Sequence, residues 1–260
     1  MRLRRLDHHP TAWPCLALLA LGLVGGALLG AAPAPVLAGA ASRDALPAAS
    51  RLPGVLAGRS VDGRALRAIH VGLKRGAAIL VVGAVHGNEP AGIAVARDLI
   101  ADSRKVRANL WVVGDLNPDG VARGTRQNSH GVDLNRNFPW RWQLAGRAGD
   151  FQYSGPHVLS EPESRFAFAL IRRIHPRITI WFHQPLALVD ASGGSLRVER
   201  RFARRVGLSV LTLPRYRGSA PTWQNHRFPN TTAFVVELPP GTLTDARIEQ
   251  YAHAVETAAH

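Results

Sequence analysis

The feature that most constrains the fold is a strand, a turn and a helix that follow one another within residues 78–100. Ala78–Val82 is an apolar run rich in Val and Ile, which predicts a buried strand. The segment 83–90 follows, and a helical pattern of apolar residues then occupies 93–100. In α/β proteins, ligands collect at the carboxyl ends of such strands. The sequence therefore predicts a functional site in this turn.

Two side chains of the turn have the chemistry of metal ligands. His86 and Glu89 are three residues apart, and an imidazole and a carboxylate at this spacing can both reach one zinc ion. His183 ends a predicted strand at 178–182 and is the candidate third ligand, which leaves the fourth position open as in catalytic zinc sites. The chain has 11 histidines, so an ordinary place at the edge of the core is the alternative for His183.

A carboxylate ends another apolar strand. Glu237 follows residues 234–236, which are Phe, Val and Val. Burying a carboxylate is costly unless it has a partner or a task. One interpretation is a salt bridge to one of the many arginines. The other is a general base that takes a proton from a water whose pKa the metal lowers to about 7.

The rest of the pattern predicts strands that alternate with helices. Further strands are expected at residues 68–71, 109–114, 210–213 and 232–238, and further helices at 160–174, 196–206 and 244–258. Ser160 and Glu163 have the spacing of a capping box, and Thr244 is a candidate N-cap. This alternation predicts an α/β fold, a single domain with a mixed, mostly parallel twisted sheet and helices on both faces.

Residues 117–156 form a long segment without helical or strand periodicity, which favours a functional loop. Within it, arginine and asparagine residues cluster between 124 and 137. A guanidinium beside an amide suits bidentate binding of a substrate carboxylate, and a second arginine suits an oxyanion. Asp133 is placed to accept the second ring N–H of a metal-bound histidine. The alternative is a polar surface loop with solvated charges.

The N-terminus has the pattern of a targeting signal. Arg2, Arg4 and Arg5 precede an almost wholly apolar segment at 16–29, and Ala-Gly-Ala at 38–40 offers small residues for cleavage. The predicted organisation is a signal peptide at 1–40, an Ala-, Pro- and Ser-rich linker at 41–57 and a catalytic domain at 58–260. An uncleaved membrane anchor is the alternative for the first segment, and no membrane span is expected in the mature form.

Composition narrows the function classes further. The net charge of +14 comes from 30 Arg and 2 Lys without a compact basic tract, so no nucleic-acid partner is predicted. Attraction to an anionic wall or membrane surface fits better, with a plain preference for arginine as the alternative. Cys15 is the only cysteine, so the mature chain would have no disulfides and no thiolate ligands. We therefore expect a secreted, periplasmic or cell-wall-associated protein.

Six motifs, taken together and in order, resemble the zinc metallocarboxypeptidases. They are His86-Gly-Asn-Glu89, Asn117-Pro-Asp-Gly120, Gly131-Val-Asp-Leu-Asn-Arg-Asn-Phe-Pro139, Ser160-Glu-Pro-Glu163, the strand-end His183 and Glu237-Leu-Pro239. The resemblance covers about residues 58–241. It implies a carboxypeptidase-like fold with one Zn²⁺ ion held by the metal ligands His86, Glu89 and His183. It further implies that Glu237 is the general base and that Asp133 orients His86.

The resemblance also implies how a substrate is held. Asn135 and Arg136 would bind its terminal carboxylate, and Arg126 would polarise the scissile carbonyl. Tyr216 stands about as far before the general base as the mobile tyrosine of the digestive enzymes, and it is the candidate for that substrate-binding role. The departures are Gln184-Pro185, where the digestive enzymes have Ser-Tyr, and a linker at 41–57 too short for a propeptide domain.

Within the family the chain is most similar to the bacterial murein peptide amidases, which cut the γ-D-glutamyl bond to diaminopimelate in peptidoglycan. The separation of 97 residues between His86 and His183 (183 − 86) and the motif Gly124-x-Arg126-x-Asn128 carry this similarity. We expect an exported zinc peptidase with a peptide or peptidoglycan-derived substrate. A general metallocarboxypeptidase, an N-acyl amino acid deacylase of a related branch and a wall-binding module without activity are the alternatives.

Overall fold

An eight-stranded sheet organises residues 55–259, the part of the chain that the computed structural model describes. Its strands are β1 Val55–Arg59, β2 Ala65–Gly72, β3 Ala78–Val82, β4 Asn109–Val113, β5 Ile178–His183, β6 Leu188–Asp190, β7 Ser209–Leu211 and β8 Thr232–Glu237. They lie in the order β1-β2-β4-β3-β5-β8-β6-β7. β3 pairs in parallel with β4 and β5, β5 with β8, and β6 with β7, whereas the other three pairs are antiparallel. The prediction of a mixed, mostly parallel sheet is confirmed.

Helices pack on both faces of this sheet. They are α1 Ala91–Ala101, α2 Pro118–Arg123, α3 Pro162–Ile174, α4 Leu196–Val206, α5 Ala220–Arg227 and α6 Asp245–Glu256, with a 3-10 turn at Leu134–Arg136. Within residues 55–259, none of the helices combines the length and the apolar character needed to cross a membrane.

The alternation of side chains along β3 explains the two layers. Ile79 and Val81 belong to the core formed with α1, α4 and α6, whereas Leu80 and Val82 belong to the core formed with α3 and α5. Because successive side chains of a strand point to opposite faces, a strand covered on both sides needs apolar residues at every position. This is why the apolar run at 78–82 marked a central strand.

The sheet begins earlier than the sequence indicated. β1 starts at Val55, three residues before the predicted start of the domain at Gly58. Val55 pairs with Ile69 of β2, so these residues belong to the sheet rather than to a linker. The predicted signal peptide, and the linker up to residue 54, lie outside the described residues.

The start of α3 differs from the predicted capping box. The N-cap is Glu161, and no side chain caps it. Glu163 instead accepts hydrogen bonds from Val61 N at 3.0 Å and Asn128 Nδ2 at 3.1 Å, while Ser160 donates to Glu161. The Glu163 carboxylate, which a capping box would use at the helix N-terminus, thus bonds residues that are distant in the sequence.

Three elements are not predicted by the sequence pattern. β6 has only three residues, α5 contains Pro221 and several polar residues, and α2 lies inside the segment 117–156. Elements this short contain too few residues for a period to show. The N-cap of α6 is confirmed, since the Thr244 side chain accepts a hydrogen bond from Arg247 N.

Candidate metal centre and active site

The candidate site lies where three adjacent parallel strands end. β5 runs between β3 and β8. His183, the last residue of β5, stands opposite Glu237, the last residue of β8. His86 follows β3 by four residues, and Glu89 lies just before α1. The sheet therefore brings together four groups that are far apart in the sequence.

His86, Glu89 and His183 form a buried cluster that could hold a metal ion. One ligand atom of each lies within 4.8 Å of those of the other two. His86 Nδ1 is 2.9 Å from Glu89 Oε1, and His183 Nδ1 is 2.9 Å from Glu89 Oε2. The structure thus brings the three predicted ligands into one place.

The chemistry of this cluster fits a zinc ion. Burial alone raises the pKa of Glu89, but the facing His183 and His86 outweigh it and hold that pKa well below its usual range. Glu89 is therefore ionised, as a metal ligand must be. His86 Nδ1 is buried and has no hydrogen-bond partner of good geometry among residues 55–259. A metal ion would satisfy this nitrogen, since imidazole and carboxylate are ordinary zinc ligands.

Asp133 holds the other side of the His86 ring. Its Oδ1 lies 3.0 Å from His86 Nε2, which leaves Nδ1 for a metal ion. Burial would raise the pKa of Asp133, but His86, Arg136 and Arg126 keep it below its usual range. Asp133 also caps the 3-10 turn by accepting a hydrogen bond from Asn135 N. One carboxylate thus orients a candidate ligand and fixes the turn beside it.

Arg126 bridges Glu89 and Asp133. Its Nη1 lies 3.0 Å from Glu89 Oε1, and its Nη2 lies 3.0 Å from Asp133 Oδ2. The guanidinium carbon also lies 4.3 Å from the centre of the Phe151 ring. These contacts hold the guanidinium in place, and because each terminal nitrogen carries two N–H groups, Arg126 keeps donors for a ligand in the cavity.

The predicted carboxylate-binding pair lies on the 3-10 turn. Arg136 is buried, its Nη1 donates to Asn135 O at 2.9 Å, and its Nε has no partner among the described residues. Asn135 Oδ1 accepts a hydrogen bond from Ala220 N at the start of α5. Tyr216 covers the pair, with the Arg136 guanidinium carbon 4.1 Å from the centre of its ring. A buried cation with a spare donor makes this a place for an anion.

Glu237 faces the same space with little to hold it. It is 9% exposed, and burial raises the pKa of Glu237 even though nearby His183 lowers it. Its Oε2 accepts a long hydrogen bond, 3.5 Å, from Leu186 N. The charged groups that shift the pKa of Glu237 are His183, Glu89 and His86, so the structure does not support the alternative interpretation of Glu237 as the partner of an arginine.

A single cavity of about 890 Å³ connects these groups. Eight of the nine predicted site residues line it: His86, Glu89, Arg126, Asn135, Arg136, His183, Tyr216 and Glu237. The ninth, Asp133, lies behind the His86 ring. The residues predicted from the sequence therefore lie in or directly behind the wall of one cavity.

Gln184, which departs from the family pattern, has a side chain that joins three parts of the candidate site. Gln184 Oε1 accepts a hydrogen bond from Ala91 N at 3.0 Å, and its Nε2 donates to Pro239 O and Gly241 O at 2.9 Å each. These bonds tie the start of α1 to the segment that follows β8. The sequence feature that could have pointed to a role for Gln184 is its position directly after the predicted ligand His183.

Comparison with known proteins shows the family to which the chain is related. The zinc carboxypeptidase family model matches residues 47–195, more than half of the chain. Murein peptide amidase A of Escherichia coli K12 is 30% identical over 189 residues, covering 68% of this chain and 76% of the relative. Murein peptide amidase A of Vibrio campbellii is 31% identical over 214 residues, covering 76% of this chain and 83% of the relative.

Solved structures show a similar fold. The crystal structure of murein-tripeptide amidase from Escherichia coli O157 superposes with a TM-score of 0.64 at 29% identity, covering 84% of this chain and 94% of that one. Carboxypeptidase A from Helicoverpa armigera, at 15% identity, shares the fold with a TM-score of 0.67, covering 79% of this chain and 68% of that one. The chain belongs to the zinc carboxypeptidase family of hydrolases.

Proposed function

We propose that the protein is an exported, zinc-dependent peptidase that cuts the γ-D-glutamyl bond to diaminopimelate in peptidoglycan stem peptides. The observation that carries the proposal is the buried Arg136 guanidinium, whose Nε has no partner among the described residues, in the cavity of the candidate metal cluster. A free carboxylate bound there would place the scissile bond near the end of the substrate. The similarity to murein peptide amidases supports the substrate class.

In this proposal His86, Glu89 and His183 hold the zinc ion. When bound, zinc would polarise the scissile carbonyl and make water a nucleophile at neutral pH. Asp133 fixes the His86 ring through Nε2, so Nδ1 would be the nitrogen available to hold the metal.

Glu237 is the proposed general base. It accepts a proton from the attacking water while the water oxygen bonds to the carbonyl carbon. It then donates that proton to the nitrogen of the leaving group as the C–N bond breaks, and so returns to its starting state. Burial raises the pKa of Glu237, which brings it closer to the pH at which such proton transfers are most efficient.

The remaining groups bind the substrate. Asn135 and Arg136 take the terminal carboxylate beneath Tyr216, and Arg126 stabilises the carbonyl oxygen as it gains negative charge. Arg126 lines the same cavity, and its bonds to Glu89 and Asp133 set its starting position.

The test is mass spectrometry of the products that zinc-loaded protein forms from the tripeptide L-Ala-γ-D-Glu-meso-diaminopimelate. We expect free diaminopimelate, and none from a Glu237→Gln control. Ordinary peptides with a free C-terminus and an N-acyl amino acid are tested in parallel as alternative substrates. Cleavage of either of these without release of diaminopimelate would replace the murein assignment with a general carboxypeptidase or a deacylase.

Export is a separate part of the proposal. The basic residues 2–5, the apolar segment 16–29 and the small residues 38–40 support it. N-terminal sequencing of the protein recovered from outside the cytoplasm should find residues 1–40 removed, within a few residues. Recovery of the uncleaved chain from the cytoplasm would contradict export without affecting the proposed reaction.

A further inference from the structure

The far wall of the cavity carries an ion pair that the proposed reaction does not use. Asp190, the last residue of β6, and Arg215 both line the cavity that holds the candidate metal cluster. Arg215 Nη1 lies 3.3 Å from both carboxylate oxygens of Asp190. A few placed polar groups in such a cavity decide which ligands it accepts.

Asp190 is held rigidly, and it holds Arg215 in turn. Its Oδ1 accepts a hydrogen bond from Leu213 N at 2.9 Å, and its Oδ2 accepts one from Ser192 Oγ at 2.9 Å. Arg215 also donates to two backbone carbonyls, from Nη1 to Leu213 O and from Nη2 to Ala191 O. The guanidinium is therefore fixed in one orientation against the end of β6.

Arg215 keeps unused hydrogen-bonding capacity. A guanidinium has five N–H donors, and the bonds that Arg215 makes within residues 55–259 use Nη1 and Nη2 but not Nε. Nε is not among the buried, unpaired polar atoms of the described residues, so it is accessible to a ligand. The exposed fraction of the Arg215 side chain is 29%. A fixed guanidinium with an accessible donor suits a carboxylate ligand.

The sheet sets the distance between this pair and the reacting groups. Asp190 stands beside Val235, two residues before Glu237 on β8. At about 3.3 Å per residue, the pair lies roughly 7 Å further down the sheet than Glu237. Tyr216, which covers Arg136, directly follows Arg215 in the chain. Because Arg136 and Arg215 line the same cavity, a substrate residue with a long side chain has a carboxylate-binding group available for each of its two ends.

We propose that Arg215, positioned by Asp190, recognises a carboxylate on the side chain of the residue that the enzyme releases. Asp190 is close enough to attract an ammonium group beside that carboxylate. The inference rests on the proposed function and defines its specificity. Diaminopimelate carries both groups at the end of its side chain, whereas lysine has the same chain and ammonium group but no second carboxylate.

The test compares kcat/KM for L-Ala-γ-D-Glu-meso-diaminopimelate and L-Ala-γ-D-Glu-L-Lys, which differ by this one carboxylate. Zinc-loaded wild-type enzyme should prefer the first peptide by about 10–100-fold, the usual contribution of a hydrogen bond to a charged group. Arg215→Gln should lose most of that preference through slower cleavage of the diaminopimelate peptide. The ratio is measured within one variant, so it does not depend on the fraction of active enzyme.

Two further variants sharpen the comparison. Arg217→Gln is the matched control, because Arg217 is exposed, pairs with Gln143 and does not line the cavity. It removes the same charge two residues away and should keep the wild-type ratio. Arg215→Lys keeps the charge but loses the planar guanidinium, which can bind both oxygens of a carboxylate. Its ratio should therefore fall between those of Arg215→Gln and the wild type.

The outcomes separate the two proposals. A wild-type ratio in Arg215→Gln, including equal losses on both peptides, would overturn the role of Arg215 and leave the proposed function standing. A loss of preference in Arg217→Gln equal to that in Arg215→Gln would also overturn it, since a general charge effect would then suffice. Wild-type enzyme that cleaves neither peptide would overturn the proposed function and this inference with it.

Discussion

Arg136 and Glu237 each destabilise the fold when no substrate is bound. Arg136 is buried while its Nε has no partner among residues 55–259, and Glu237 is buried with one long hydrogen bond. A buried polar or charged group without full partners is destabilising. A bound substrate would supply the missing hydrogen-bond partners. Substitutions here should therefore affect stability and activity in different ways.

Arg136→Gln should weaken substrate binding without destabilising the fold. We expect kcat/KM for a carboxylate-bearing peptide to fall about 10–100-fold, mainly through KM, because a charge-assisted hydrogen bond is lost. The melting temperature should stay the same or rise, since a buried charge with an unpaired donor is removed. Steady-state kinetics and thermal unfolding measure the two effects. A large drop in melting temperature with KM unchanged would contradict the proposed role.

Glu237→Gln should separate metal binding from turnover. Glu237 lies across from His183 but outside the ligand cluster, so zinc content should remain at one ion per chain. Turnover should fall about 10²–10⁴-fold, the usual contribution of a general base. Elemental analysis and kinetics on the same preparation provide the measurement. Full activity in this variant would rule out the proposed mechanism.

Asp133→Asn should weaken zinc binding, because the carboxylate that orients His86 is lost. A group that hydrogen-bonds to a metal ligand typically raises the metal affinity about 10–100-fold. Competition with a zinc chelator measures it without relying on activity. Asp102→Asn is the control, since Asp102 is exposed and pairs with Lys105. Equal zinc affinity in both variants would show that Asp133 has no influence on the metal.

At the scale of elements, the site depends on a close approach between the 3-10 turn and the loop before α5. Gly218 N donates to Trp140 O, and Gly218 O accepts from Phe138 N. Gly218 has a φ of +71°, and a Cβ on it would lie 1.9 Å from Arg136 O. Only glycine fits there, and the approach places Tyr216 over Arg136.

Gly218→Ala should therefore damage both stability and substrate binding. Gly207→Ala is the matched control, because Gly207 has a φ of +68° but open space around it. The backbone strain alone should cost about 1–2 kcal/mol in either variant. Gly218→Ala should lose clearly more and should also raise KM, because Arg136 must move. Urea unfolding and kinetics test this, and equal losses with unchanged KM in both variants would refute it.

At the scale of the whole molecule, a buried carboxyl group makes stability depend on pH. Glu199 of α4 packs inside, and its Oε1 has no hydrogen-bond partner among the described residues. Burial, reinforced by the charge of Asp190, raises the pKa of Glu199 to about 7. An unfolded chain releases this proton near pH 4.3. Between those pH values the folded protein binds more protons, so its stability falls as pH rises and then levels off.

Glu199→Gln should remove this contribution. The free energy of unfolding of the wild type should fall by up to about 3 kcal/mol more than that of the variant between pH 5 and pH 8. Urea titrations at both pH values measure the difference. Glu249→Gln, at an exposed position of α6, should keep the wild-type slope. Parallel slopes for wild type and Glu199→Gln would contradict the assignment.

Much of the fold could be predicted because its central elements carry their signal locally. The apolar runs of β3 and β5 and the charged, amphipathic α4 show their periods within a few residues, and their predicted bounds match closely. The candidate ligands His86, Glu89 and His183 could also be predicted, because each sits at the end or just after a recognisable strand. Local sequence determined these features since burial on both sheet faces requires continuous apolar residues.

Tertiary structure alone decided what the polar side chains contact. Glu163 has the spacing of a capping box, yet it bonds Val61 and Asn128 because a buried carboxylate takes the donors that folding brings nearest. β6 is three residues long and exists through its pairing with β7 and β8. The pair of Asp190 and Arg215 follows from that pairing. Such contacts join residues distant in the sequence, and no local period encodes them.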